Sequence, residues 1–432
     1  MRRLIALCLL LSLPVLAMAS PKIQHWRLPS GLSVYFLEAH ELPMLDLKLV
    51  FDAGSARDGD LPGLASMTAG ELFSGADGLD LETLSDRLDR VGASYGSGAL
   101  RDMAWITLRS LTDKDSLEPA LDTWLRVVGH PDFPAEHFER ARRQRLVGIR
   151  AEREDPGTVA SKAFWKALYG EHPYAHPVNG TEDSTRALRR KDLVRFHRTY
   201  YVSGNAVLVI VGDRTLAEAE ELARRVDAAL PRGPHAPPLP PVPELKEGKT
   251  IRIPFPSTQA HILMGQPGMR RNDPDYFPLY VGNHVLGGSG FTSRLVKTVR
   301  VEHGLAYSVY SYFLPMRAHG PFMAGLQTRR DQTRQALKLV RETLTRYLAE
   351  GPSEQELRAS KRNITGGFPL RIASNSDLAD YLAMIGFYDL PLDYLDRFNA
   401  RVEAVTREQI LDAFRRRIHP ERMVTVIVGG PK

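Results

Sequence analysis

At 432 residues, with 43% hydrophobic and 25% charged side chains, the chain can bury more than one core, and its composition excludes a disordered or fibrous protein. Its formal charge of +6 is spread over runs such as Arg140–Arg145 and Arg415–Arg417 with acids close by. These runs read as solvated helix faces, and no nucleic-acid-binding motif accompanies them.

The chain opens with Arg2 and Arg3, an apolar run over Leu4–Leu16 and the small-x-small site Ala17-Met18-Ala19. This pattern predicts a signal peptide over residues 1–19 and export to a bacterial periplasm. The one cysteine, Cys8, lies inside it, so the mature chain has no disulfide, thiolate ligand or cysteine nucleophile. No later apolar run approaches the ~20 residues that a membrane-spanning helix needs.

In the first half, residues 20–230, strands are predicted at Leu32–Leu37 and Leu45–Ala53, then helices at Pro62–Leu72 and Leu81–Val91. A strand pair follows at Ser94–Leu100 and Asp102–Ser110. Helices are then predicted at Asp113–Val128, Ala135–Glu152, Gly157–Leu168 and Leu188–Tyr200, and a closing strand at Asn205–Asp213. Pro231–Glu247 carries seven prolines, which disfavour helix and central strand and mark a linker over 231–249. The second half, 250–432, repeats the rhythm. Strands are predicted near Ile251–Pro254 and Ala260–Gln266, a helix at Phe277–Leu286, a strand at Gly320–Gln327 and helices from Arg330 onward. The last strand, RMVTVIVGG, echoes the NAVLVIVGD that closes the first half. Internal duplication is the simplest account. The order fits an α+β fold of two homologous domains, each a largely antiparallel sheet covered by helices.

The stretch Gly287–Phe313, GGSGFTSRLVKTVRVEHGLAYSVYSYF, reads as a glycine-rich turn, a short helix capped by Ser293, a stop at Gly304 and an alternating strand. Period-two spacing places Leu305, Tyr307, Val309 and Ser311 on one strand face. Arg300, in the last helical turn, and Tyr307 then aim at one point, where a guanidinium and a phenol can hydrogen-bond a peptide carbonyl. Gly287, Gly288 and Gly290 would let the backbone take positive φ and sit close to another chain, as substrate-binding positions. The same residues also fit a plainer reading, with Arg300 serving the helix dipole and Tyr307 packing in a sheet.

Taken in order, GLSVYFLEAHELPMLDLKLVFDAGS, PGLASMTAGELFSG, HPYAHPVNGT, NAVLVIVGD and the Gly287–Phe313 stretch resemble the pitrilysin/insulinase family of zinc metallopeptidases. The likeness spans nearly the whole mature chain and is strongest to the short bacterial form and to mitochondrial processing peptidase subunits. The resemblance implies two halves that enclose a peptide. It also implies an H-x-x-E-H helix, whose histidines at i and i+4 share one face and bind zinc while the glutamate activates water. Here Ser66 and Gly70 stand at the histidine positions, Ala69 at the base and Gly148 at the third ligand, so this chain is expected to hold no zinc. Glu71 has no histidine partner at helical spacing, and Pro173 and Pro177 make His172 and His176 a loop pair. Arg300 and Tyr307 match the family's substrate-orienting, oxyanion-stabilising pair. The resemblance therefore implies the non-metal subunit of a heterodimer, with peptide as substrate and zinc in a paralogous partner. A catalytically dead pseudopeptidase that binds or scaffolds peptides is the alternative.

Overall fold

The computed structural model describes residues 22–429, so the segment read as a signal peptide, with Cys8, lies outside the described residues. Strands β1 (Gln24–Arg27), β2 (Ser33–Glu38), β3 (Met44–Phe51), β6 (Ser94–Ala99), β7 (Ala104–Leu111) and β8 (Ala206–Gly212) form one sheet in the order β1-β2-β8-β3-β7-β6. A two-residue ribbon, β4 (Gly75–Ala76) with β5 (Leu79–Asp80), stands apart from it. Strands β9 (Lys249–Ile253), β10 (Gln259–Pro267), β11 (Ser308–Phe313), β12 (Pro321–Arg329) and β13 (Val424–Val428) form the second sheet, β11-β12-β10-β13-β9. Read from its far end, the second order repeats β2-β8-β3-β7-β6 of the first. In each sheet the closing strand pairs parallel with the opening one and the other neighbours are antiparallel. This is the two-domain α+β fold expected, related by duplication.

The echo between NAVLVIVGD and RMVTVIVGG has a physical cause. In β8, Leu208 and Ile210 pack into the core of the first half, while Val209 and Val211 face the opposite side. That opposite face is covered by the Asn375–Phe387 helix, which comes from the second half. Reciprocally, the Pro156–Tyr169 helix of the first half lies on β10 and β13, with Phe164, Trp165 and Leu168 against Val424, Val426 and Val428. A strand buried on both faces needs a continuous apolar run instead of alternation. Glycines mark the two contacts. A Cβ on Gly265 would stand 2.9 Å from the Phe164 ring, and one on Gly386 would stand 2.6 Å from Tyr35.

A buried carboxylate ties the halves together. Asp102, in the β6–β7 turn, accepts from the Tyr174 hydroxyl, from the Tyr388 hydroxyl at 3.0 Å and from the Arg317 N–H at 2.7 Å. Arg317 also donates to the Phe387 carbonyl at 2.7 Å and lies 3.5 Å from Asp52, which Arg57 holds with two bonds of 2.7 and 2.8 Å. Burial pushes the Asp102 carboxyl up against the pull of these donors.

The proline-rich segment has no regular secondary structure, and it is bound to the first half. Pro231 accepts from Ser203 N–H at 3.0 Å, Ala236 N–H donates to Asn205 at 2.9 Å, and the Pro240 carbonyl pairs with His172 at 3.0 Å. His172 and His176 flank a 3-10 turn, Pro173–Ala175, and do not share a helix face.

Removing Asp102 strands two tyrosine hydroxyls and a backbone N–H in the interface. In urea unfolding, Asp102→Ala is expected to cost roughly 3–5 kcal/mol and Tyr388→Phe about 1–2 kcal/mol. An Asp102→Ala chain as stable as wild type would contradict this role.

Candidate functional site

The helix at the H-x-x-E-H position is Leu64–Gly70, entered through Gly63 at φ 94°. Asp58 caps it by accepting from the N–H groups of Gly63 and Ala65, both at 2.7 Å, which have no partner within the helix. Burial pushes Asp58 up to about 8, against these two donors and Arg145. Arg145 reaches the same turn with a 3.3 Å bond to the Gly63 carbonyl.

None of the four positions offers a metal ligand. The Ser66 hydroxyl donates to Asn179 at 3.1 Å, and Ala69 is fully buried with its carbonyl taken by Ser97 at 2.7 Å. Gly70 and Gly148 both face open space, where a Cβ would meet nothing within 4 Å. Glu71 follows the helix but lies among arginines: burial pushes it up to about 7, and Arg140 and Arg145 pull the other way. Among the described residues no three His, Cys, Asp or Glu side chains gather where they could hold a metal ion. The residues present do not fit a catalytic zinc.

In the second half, the helix Tyr276–Asn283 runs on without a break into a wider turn, His284–Gly288. Two expectations need correction here. Gly287 and Gly288 belong to this helical extension and not to a free turn, and only Gly290 takes positive φ, at 62°. Gly287 is needed for close approach: a Cβ there would stand 2.5 Å from the Ser311 nitrogen. The second correction concerns Tyr307. Leu305 and Ala306 are both buried, so alternation starts only with β11 at Ser308, and Tyr307 stands before the strand, 80% exposed. The reason is the helix stop. Gly304 at φ 60° and a Leu305 N–H to Val299 carbonyl bond of 2.9 Å fold the chain back, which seats Leu305 and Ala306 and turns Tyr307 outward.

The outward turn places Tyr307 beside Arg300. The guanidinium carbon of Arg300 lies 5.3 Å from the Tyr307 ring and 4.7 Å from that of Phe291, itself 70% exposed. Arg300 makes no ion pair among the described residues. It lies in a wide helix, Val296–Glu302, preceded by Ser293, whose hydroxyl is 3.5 Å from the Val296 nitrogen. Gly287 and Gly288 instead line a separate cleft of about 560 Å³ with Arg271 and Arg371, and neither Arg300 nor Tyr307 is in its wall. The sequence reasoning did not single out Arg271, Arg371 or Asp102, since a lone arginine or a turn aspartate carries no motif.

A family model described as the peptidase M16 inactive domain matches residues 187–364. A crystal structure of a peptidase M16 inactive domain from Pseudomonas fluorescens is 41% identical, with a TM-score of 0.92, over 95% of this chain and 98% of that one. The "non-peptidase homolog YmxG" of Helicobacter pylori is 26% identical over 92% of each chain. The periplasmic protease PqqL of Escherichia coli shares the fold, with a TM-score of 0.79 at 17% identity over 95% of this chain and 46% of that one. The fold, two duplicated α+β halves, is that of the M16 peptidases. The chain belongs to the M16 family, the pitrilysin/insulinase peptidases.

Two outcomes test the local geometry. Gly287→Ala forces a methyl against strand backbone and should cost about 2–4 kcal/mol, whereas Gly148→Ala, helical and open, should stabilise by about 0.5–1 kcal/mol. Glu71 has a folded pKa near 7, above its unfolded value, so its contribution holds at low pH and is lost as pH rises through 7. Glu71→Gln should therefore lessen the fall in stability between about pH 5 and pH 7.5, by roughly 1–2 kcal/mol after allowing for partial exposure.

Proposed function

We propose that this protein is the non-metal subunit of a heterodimeric M16 peptidase in the bacterial periplasm. It supplies Arg300 and Tyr307 to the zinc centre of a paralogous H-x-x-E-H subunit. The observation that carries this reading is an asymmetry between the halves. The four metal-site positions have no ligand atoms suited to zinc, while Arg300, half-buried and without an ion-pair partner among the described residues, stands beside the exposed Tyr307. A structural arginine at a helix end is ordinarily paired or covered. This one is held between two exposed rings, an arrangement worth only about 0.5–1 kcal/mol to the fold.

In the assembled enzyme the partner's metal would supply the activated water. The residues of this chain do the rest by hydrogen bonding: Arg300 orients the peptide carbonyl with its fork of donors, and the Tyr307 hydroxyl donates to the oxygen as negative charge develops on it. Export rests on the leader read in residues 1–19 and on the absence of cysteine after it. Among the described residues no helix is long and apolar enough to cross a membrane. A second reading, a pseudopeptidase that binds peptides without chemistry, draws support from the Helicobacter pylori relative described as a non-peptidase homolog.

Mixing the purified chain with a paralog carrying H-x-x-E-H separates the two. Hydrolysis of an unfolded peptide should appear only in the mixture, and Arg300→Ala or Tyr307→Phe should lower it about 10²–10³-fold without changing assembly. Unchanged activity in both variants would remove the catalytic reading and leave the binding one.

A further inference from the structure

The cleft that holds Gly287 and Gly288 has a chemistry of its own. Its wall contains two arginines, Arg271 and Arg371, and no aspartate or glutamate. Neither arginine has an ion-pair partner among the described residues, and the Arg271 Nε is buried without an acceptor. Four side chains form one continuous side. Arg371 donates to the Tyr280 hydroxyl at 2.9 Å, Tyr280 stacks on Tyr276 with ring centres 5.9 Å apart and planes 11° from parallel, and Arg271 lies 6.0 Å from the Tyr276 ring. The other side is the outer edge of β11, where Asn283 already takes the Ser311 carbonyl at 2.9 Å. A smaller recess of about 270 Å³ shares Arg271, Tyr276, Tyr280 and Arg371 and adds Tyr381, Tyr394 and Phe398; its one carboxylate, Asp380, is bound to Lys48.

Two cations at an aromatic wall that itself holds no acid suit a ligand that brings both a negative charge and apolar surface. Guanidinium groups pair with carboxylates through parallel donors, and neither arginine has an ion-pair partner among the described residues that a carboxylate would have to displace. A volume near 560 Å³ lies within the range of small-ligand sites and holds roughly two to four peptide residues. We propose that this cleft binds the free carboxylate end of a peptide, with Arg271 and Arg371 as its donors and the Tyr276–Tyr280 stack against its last side chains. That the occupant is a peptide rests on the reading given under Proposed function; the demand for a carboxylate comes from the cleft.

The test uses the full mature chain alone and fluorescence polarisation with three labelled hexapeptides. One ends in phenylalanine with a free carboxylate, one is the same peptide as an amide, and one is an amide carrying a glutamate at the fifth position. The free acid should bind at least tenfold more tightly than both amides. Arg371→Gln, at an exposed side chain, and Arg271→Gln should each bring the acid within about threefold of the amide, with thermal melting confirming that both variants are folded. Equal binding of acid and amide, no binding of either, a glutamate amide as tight as the acid, or a preference that survives both substitutions would overturn the proposal. No zinc subunit or hydrolysis enters this assay, so its outcome is independent of whether Arg300 and Tyr307 serve a partner.

Discussion

Each sheet of this protein is closed by a helix that the other half provides. The Pro156–Tyr169 helix lies on the second sheet and the Asn375–Phe387 helix on the first, and Asp102 sits among Tyr174, Tyr388 and Arg317 in the interface between them. Neither half can present a water-compatible surface without the other, because the exchanged helices cover sheet faces that are apolar on both sides. The polar knot adds direction to this burial. A carboxylate with three donors is favourable in one arrangement and costly in any other, so the relative placement of the halves is specified as well as their contact.

This frame explains where the two halves have diverged. The Leu64–Gly70 helix keeps its cap, its glycine entry and its packing, all of which the fold requires, and has no ligand atoms where a metal would demand them. Arg300, in the helix Val296–Glu302, and Tyr307, beyond the Gly304 stop, stand side by side, with the tyrosine turned outward.

Much of the fold was legible in the sequence because one interior strand of each sheet, β8 and β13, reads as a run rich in β-branched residues, and the duplicated order repeats it. The helix carrying Ser66, Ala69 and Gly70 was also legible, since helical spacing is a local property. Tyr307 was less so. Period two from Leu305 looked continuous, but the stop at Gly304 folds two apolar residues inward before the strand begins, and only the packing of Leu305 and Ala306 reveals it. The glycines misled for a similar reason: Gly287 is small because Ser311 is near, a contact 24 positions away in the chain that no local pattern carries. Asp102 and Arg271 were invisible because their meaning lies in partners from distant segments.

In the proposed division of labour this chain brings no metal and cleaves nothing by itself. The most direct test is the zinc content and peptide turnover of the isolated mature chain, measured together after dialysis against zinc-containing buffer. The account predicts far less than one zinc per chain and no turnover above buffer. One tightly held zinc per chain, with hydrolysis that a chelator abolishes, would contradict it.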